Sequence, residues 1–581
     1  MKKEILIYTG LIGMGVLAAK QPNVLFILTD DQGWGDVSIH GNPIINTPTL
    51  DMLYSKSVVL NNFYVSPLSA PTRASLLTGR YHLSTGVSSV QSGLENMRAE
   101  ETTLAELFKS KGYATGCFGK WHNGTYFPLT PNGQGFDDFV GFCCGHWANY
   151  FDPILQKNEK IIRGKGYISD IFADEAIRFI NENKENPFFC YLPFNTPHSP
   201  FQVPDEYFNR YDHIKASTPE KRNGLACIYG MVENIDYNIS RVLNHLDSLK
   251  IRENTIIIFM SDNGPVHIER YNGGMRGMKG QTHEGGVRVP CYINWQGKLN
   301  HKIINQVTTH IDILPTLMEL CSITNYTTAF PLDGIDLTPL ILGNITNIPY
   351  RQIFTHRMQN TLVPFLGAVR TPTHRLIVNR DSLLLFDIMN DPQEKNNLYA
   401  KEFELGNQLL NNYMNWFNCV KGGVNTNFKV PVGYLPAPQV RIPAPEGKMH
   451  GKLKCYGYPN QNWVNHFTTE ADSLTFELDV VENGLYEVAI QFTNTSYNNN
   501  TKITAQIHNT NISKGLPSFY PESVPSPDRM KRVEAYEQTW ATISLGKIDL
   551  SKNNHKLKVF VENASSTNSV EIKTIYINRL K

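Results

Sequence analysis

Four short apolar runs recur along the first half of the chain, and each stops abruptly at polar residues. Asn23–Thr29 runs into Asp30-Asp31-Gln32-Gly33, and Tyr113–Phe118 into Gly119-Lys120-Trp121-His122. Phe188–Phe194 runs into Asn195-Thr196-Pro197-His198, and Thr255–Ser261 into Asp262-Asn263-Gly264. Continuous apolar character, without alternation, marks strands covered on both faces, as in a parallel sheet. Helical patterns, such as Thr103–Lys111 and Ile228–Leu249, lie between the runs. This alternation predicts a doubly wound α/β domain. Ligands of such sheets bind beyond the carboxyl ends of the strands, so polar residues at four such ends point to one shared site.

Between the first two runs, Ser69-Ala70-Pro71-Thr72-Arg73-Ala74-Ser75-Leu76-Leu77-Thr78-Gly79-Arg80 reads as a short helix. Ser69 or Ala70 is placed at its cap, Pro71 at its first position and Gly79 at its end. A helix start offers free N–H groups to an anion, and Arg73 lies one turn further on the same face as Ser69. Residues 272–290 form a glycine-rich loop carrying Arg276, Lys279, His283, Glu284 and Arg288, and a helix follows near Asp312–Cys321.

After Arg351 the pattern changes to a smaller α+β piece, residues 351–420. Its strands fall near Phe365–Arg370, Leu376–Asn379 and Leu383–Asp387, and its helix ends near Phe417. Proline, glycine and polar residues over 421–445 read as a linker. Beyond it, strict alternation in Leu474–Val480, Leu485–Phe492, His555–Glu562 and Val570–Leu580 predicts an all-β sandwich over 446–581.

Composition narrows the function classes. The 581 residues carry a formal net charge of +1, with 41% hydrophobic and 18% charged residues, a globular balance that argues against nucleic acid as a partner. Residues 1–20 look like a signal peptide: Lys2 and Lys3 precede an apolar run from Ile5 to Leu17, with Ala18-Ala19 near the cleavage point. No cysteine lies near that run, so a lipid anchor is not expected. No later stretch reaches membrane-spanning length. The expectation is an exported chain, periplasmic or secreted, without stable membrane insertion. Nine cysteines without paired spacing suggest buried small hydrophobes, with one disulfide at most.

The strand-end residues carry the candidate chemistry. Asp30, Asp31, Asp262 and Asn263 supply oxygen ligands only, which implies a hard divalent ion, calcium or magnesium. Calcium is favoured if residue 69 and a substrate oxygen complete the shell. A single such acidic pair after a strand is ordinarily a turn or a cap; two, each followed by glycine, favour a metal. His122 and His198, with Lys120, Lys279 and Arg73, add cations and proton-transfer groups.

Ser69-x-Pro71-x-Arg73 followed by Ala74-Ser75-Leu76-Leu77-Thr78-Gly79-Arg80 resembles the signature of the type I, formylglycine-dependent sulfatases. The resemblance continues in order through Pro22–Asp36, Gly119–His122, Pro197–Pro200, Ser261–Pro265, Lys279-Gly280, Glu284–Pro290, Asp312–Thr316 and Asp391-Pro392-x-Glu394. It covers roughly residues 21–420 and implies an alkaline-phosphatase-like fold over 21–350.

The resemblance also implies roles. Ser69 is oxidised to formylglycine by a maturation enzyme, and the hydrated aldehyde attacks sulfur with one hydroxyl and expels sulfate with the other. Asp30, Asp31, Asp262, Asn263 and residue 69 hold one Ca²⁺. Arg73 and Lys120 stabilise the hydrate, Lys279 holds a sulfate oxygen, His122 assists turnover, and His198 protonates the leaving alcohol. The substrate class implied is a sulfated carbohydrate, cleaved from its end, and the β-sandwich is similar to carbohydrate-binding-like modules. A packing appendage is the alternative for that module; Trp463 and Tyr486 are its candidate stacking rings, with core packing the alternative for Tyr486.

The commonest nucleophile precursor of this family is cysteine. Serine at 69 is similar to members matured by a radical-type enzyme that works without oxygen, which implies an anaerobic or facultative bacterium. Candidate substrate-binding residues are His146 and Trp147, Arg276, and His356 with Arg357. Two alternatives stand beside this reading. One is a phosphomonoesterase or phosphodiesterase of the same superfamily, which Asn263 disfavours because a second zinc site has histidine there. The other is a non-catalytic glycan-binding protein.

Overall fold

The computed structural model describes residues 21–581 apart from 267–268, 360, 425–426, 456–460, 496–499, 533 and 565–568. The signal-peptide reading of residues 1–20 lies outside the described residues.

A ten-stranded sheet forms the centre of the first domain. Its strands are β1 (Asn23–Thr29), β2 (Val58–Tyr64), β3 (Ala114–Lys120), β4 (Asp138–Phe142), β5 (Ile154–Lys157), β6 (Lys160–Arg163), β7 (Phe188–Pro193), β8 (Thr255–Ser261), β9 (Cys291–Trp295) and β10 (Lys302–Thr309). They lie in the order β10-β2-β9-β8-β1-β7-β3-β4-β5-β6. The four runs found in the sequence are thus the adjacent quartet β8-β1-β7-β3, paired in parallel. The sheet is mixed: β9 runs antiparallel between β8 and β2, and β5 and β6 run antiparallel at one edge.

The continuous apolar pattern has a direct cause. Val24, Phe26 and Leu28 point into a core shared with Leu76, Leu77, Leu104 and Leu314. Leu25 and Ile27 point into a second core with Leu53, Phe172 and Ile235 on the opposite face. Helices cover both faces, so both sets of alternate positions must be apolar.

The Ser69 helix spans Ser69–Thr78. Its cap is Leu68, not Ser69 or Ala70, and no side chain caps it. Ser69 is already helical, which frees its hydroxyl from capping and turns it toward the sheet ends. Gly79 closes the helix at φ 67°, a left-handed conformation that glycine adopts without steric cost.

In the smaller α+β piece, Ile353–His356, Gly367–Arg370, His374–Val378 and Leu383–Asp387 form one antiparallel sheet under the helix Phe403–Val420. The stretch expected to be a linker is partly strand. Val430–Val432 pairs with Ser473–Val480, and Gln439–Pro443 pairs with Val570–Arg579. Both segments contain proline, which edge strands tolerate and which masked them in the sequence.

Two six-stranded sheets make the sandwich. Val480, Val488, Val559 and Ile575 lie in its common core, as does Tyr486; Tyr486 is therefore a packing residue. Trp463 is buried edge-on against Trp540. The sandwich packs on the first domain, where Tyr126 joins its core and stacks on Phe428. All nine cysteines are free, six of them buried. Among the described residues no helix is long and apolar enough to cross a membrane.

Candidate active site

The sheet order brings the polar strand ends together. Asp262 leaves β8, Asp30 and Asp31 leave β1, His198 follows β7, and Lys120 ends β3 beside His122. Asp31 and His122 hold φ of 65° and 64°, conformations rare for side chains other than glycine and found where a backbone is bent to aim a functional group. Gly264 lets the segment after Asp262 press against the glycine-rich loop, since a Cβ there would stand 2.0 Å from the Gly285 carbonyl.

Ser69 lies among these groups. Its Oγ accepts from Arg73 Nε at 2.9 Å and lies 3.3 Å from His122 Nδ1. Arg73 is fully buried and also donates to Asp262 at 3.0 Å and to the Lys120 carbonyl at 2.7 Å. Two lysines then pair with two aspartates. Lys120 Nζ reaches Asp30 at 2.6 Å, and Lys279, from the glycine-rich loop, reaches Asp31 at 2.6 Å.

These pairs behave differently. Burial raises the proton affinity of Asp30, Asp262 adds to the rise, and Lys120 does not offset it; burial likewise pushes Lys120 down. For Asp31 burial is outweighed by Lys279 and His198, so its carboxyl is held below the usual carboxylate range, while Lys279 is raised. Burial and the nearby lysines keep both histidines neutral, His198 at about 3 and His122 well below its ordinary value. The His198 Nδ1 lies 2.7 Å from the Ser199 carbonyl. A carbonyl only accepts, so Nδ1 carries the hydrogen and Nε2 faces Asp31 at 3.8 Å.

The donor set fits a hard cation. Carboxylate and ring atoms of Asp30, Asp31 and His198 lie within 4.8 Å of one another. Asp30 Oδ1 and Asn263 Oδ1 are buried and accept no hydrogen bond among the described residues, a costly state unless a cation satisfies them.

The candidate substrate residues separate. His146 is buried with its ring centroid 5.9 Å from that of His198. Trp147 stacks on Phe142 at 4.9 Å beside it. Arg357 donates to the Gly280 carbonyl at 2.8 Å, bracing the loop next to Lys279. Arg276 turns away, donating to the Glu394 carbonyl at 2.9 Å. His356 is not brought to the site: it is buried, with Nδ1 2.8 Å from the Tyr413 hydroxyl.

The sequence reading missed Glu534 and Arg532. Both come from the segment joining the sandwich strands Thr510–Gly515 and Ala541–Leu550, which carries no motif or periodicity. Glu534 accepts from Ser199 Oγ at 3.0 Å and stands 3.8 Å from His146 Nδ1.

Residues 22–323 match the sulfatase family model, and residues 278–414 match the model for the C-terminal part of N-sulphoglucosamine sulphohydrolase. The chain is 30% identical to N-acetylgalactosamine-6-sulfatase of Canis lupus familiaris over 402 residues, covering 63% of this chain and 74% of that one. It is 29% identical to N-acetylgalactosamine-6-O-sulfatase of Bacteroides thetaiotaomicron, covering 67% and 92%. Among solved structures, Ps i-CgsB in complex with k-i-k-neocarrahexaose superposes with a TM-score of 0.63 at 28% identity, covering 68% of this chain and 93% of that one. With its alkaline-phosphatase-like sheet and the cluster around Ser69, the chain belongs to the sulfatase family and is a sulfuric ester hydrolase.

Proposed function

We propose that this sulfatase removes sulfate esters from the ends of sulfated glycans, using residue 69 matured from serine to formylglycine and one Ca²⁺. The observation that carries the reading is the position of Ser69: its Oγ is held by Arg73 Nε at 2.9 Å and faces His122 at 3.3 Å. Asp30, Asp31, Asp262, Asn263 and residue 69 would hold the calcium, which supplies positive charge to orient residue 69 and polarise the ester. The hydrated aldehyde supplies two hydroxyls, one to attack sulfur and one whose deprotonation releases sulfate and restores the aldehyde.

The chain's own groups do the rest. Arg73 and Lys120 stabilise negative charge at residue 69, and Lys279 binds a sulfate oxygen. His122, neutral and 3.3 Å from Oγ, is the base that takes the proton of the second hydroxyl. His198 presents Nε2 to the leaving oxygen; an anionic ester bound beside it raises its proton affinity and lets it act as the acid. The family likeness and the serine at 69 support a bacterial enzyme with a formylglycine-generating maturation partner, and the apolar run Ile5–Leu17 after Lys2 and Lys3 supports its export.

The mass of a tryptic peptide spanning Ser69, from protein made in its native host, tests the nucleophile: loss of two hydrogens is expected, and unmodified serine overturns it. A panel of position-defined sulfated monosaccharides, assayed beside phosphate esters, tests the substrate class. Sulfate release from the sugars is expected. Preferred phosphate release, or sulfate release from internal positions of a polymer, overturns the corresponding part of the reading.

A further inference from the structure

We propose that segments 516–532 and 534–540 of the sandwich form the outer wall of the sugar pocket, and that Glu534 accepts a hydrogen bond from a hydroxyl of the neutral sugar that carries the sulfate. This rests on the sulfatase reading above. Neither matched family region extends past residue 414, so the wall is an addition to the part of the chain that those models describe.

The wall is pinned to the first domain at several points. Arg529 lies over the Phe208 ring at 4.3 Å, donates to the Val203 carbonyl at 2.8 Å and pairs with Asp205. Asp528 and Ser526 accept from Gln202 at 2.6 and 3.0 Å. Arg532, almost fully buried, donates to the Ala148 carbonyl at 2.5 Å. These anchors grip both loops that flank the catalytic histidine, 146–148 and 198–205. Held this way, Glu534 is preorganised where mobile loops would lose affinity to ordering.

The position of Glu534 relative to His198 decides what it meets. Lys279, Lys120 and Arg73 gather on the Asp31 side of His198, where the sulfate binds. Glu534 is reached from the Nδ1 edge of the ring instead: it accepts from the Ser199 hydroxyl, which stands 3.5 Å from His198 Nδ1, and it lies next to His146. A sugar whose alcohol meets Nε2 and whose ring lies across the neighbouring His198 and His146 rings, 5.9 Å apart between centroids, brings a hydroxyl to Glu534. Among the described residues His146 has neither ring nitrogen hydrogen-bonded and is held neutral at about 3, chiefly by burial, so it offers a second polar contact to the same sugar.

Charge then selects the class of sugar. Asp528 is matched by Arg532 at 3.2 Å. Glu534 meets the Ser199 hydroxyl and the neutral His146, and among the described residues it pairs with no lysine or arginine. An ionised carboxylate accepts from hydroxyls and repels anions. The wall therefore suits a sugar whose group next to the sulfated position is a hydroxyl, and it rejects a second sulfate or a carboxylate there.

The test uses the full mature chain and its Glu534→Ala and Glu534→Gln variants. Each is assayed on 4-nitrophenyl sulfate and on monosulfates of galactose, N-acetylgalactosamine, glucose, N-acetylglucosamine and fucose. The value of kcat/KM on the preferred sugar, relative to that on the aryl sulfate, should fall about 10–100-fold in Glu534→Ala. In Glu534→Gln, which keeps one acceptor oxygen, the fall should be smaller, and discrimination against a disulfated form of that sugar should narrow. A parallel fall on both substrate types, no change on either, or preference of the unaltered enzyme for the aryl ester over every sugar overturns the proposal. These outcomes differ from failure of the sulfatase reading, in which the unaltered mature enzyme releases sulfate from none of the substrates.

Discussion

Lys279 and Glu284 are five residues apart in one glycine-rich loop, yet they serve two unlike clusters of buried charge. Glu284 accepts from the Tyr64 hydroxyl at 3.0 and 3.2 Å and from Arg375 at 2.5 Å, with Arg370 at 3.4 Å. Burial alone would raise its proton affinity, but Arg375, Arg370 and Arg288 outweigh it and hold the carboxyl at about 2. Asp30 is just as buried, pairs with Lys120 through one oxygen, and is shifted upward. Its other oxygen accepts nothing among the described residues. The Glu284 cluster supplies its own counter-charges and is built for stability. At Asp30 the chain's cations leave burial and the charge of Asp262 uncompensated, and the proposed cation would meet that shortfall.

The sharpest way to break this comparison is at residue 69. Ser69→Ala should lower kcat/KM about 10⁴-fold or more while the melting temperature stays close to that of the unaltered protein. A thermal shift paired with sulfate release checks both. Asp262→Asn should lower activity roughly 10²–10³-fold and abolish the response to calcium. In the unaltered protein, calcium at a hundred times its Kd should add about 2.7 kcal/mol of stability. Glu284→Gln should do the opposite, costing about 3–5 kcal/mol of stability by leaving buried arginines unpaired, as read by urea unfolding. The depressed Glu284 also predicts a pH signature: its contribution is complete above the unfolded value of about 4.5 and is lost as pH falls toward 2, so the variant should show a flatter acid limb.

The smallest effect belongs to a third pair. Glu95 and Glu446 meet where the sandwich packs on the first domain, and burial pushes both upward, Glu446 adding to the rise at Glu95. A raised carboxyl keeps its proton when folded, so stability declines as pH rises from the unfolded value through the folded one. Glu95→Gln should therefore gain about 1–2 kcal/mol at pH 9 and nothing at pH 5, measured as the difference in melting temperature. A loss at both pH values, as expected for Glu284, would mean that this pair, too, is fully supported by its surroundings.

Much of the catalytic domain was legible in the chain because short-range rules govern it. Apolar runs announced four neighbouring strands, and their polar ends announced Asp30, Lys120, His198 and Asp262. Gly79 marked a helix end that glycine alone reaches cheaply. The helix cap was expected one or two residues late, at Ser69 or Ala70, since Leu68 caps through its backbone and leaves no side-chain signature. The strands hidden in 421–445 were missed because an edge position excuses their prolines. His356 showed the limit of residue type as a guide: its imidazole is absorbed by Tyr413 and the core.

What the sequence determined by itself was the two-faced sheet, the alternating strands of the sandwich and the set of polar strand ends that meet around Ser69, because periodicity and motif spacing are written into consecutive residues. Tertiary structure alone decided which charges complete one another and which stay short of a partner. It also decided that Glu534 stands 3.8 Å from His146, 388 positions earlier in the chain. No local pattern encodes such a contact: it arises from the packing of one domain on another, where a loop is positioned by what it covers.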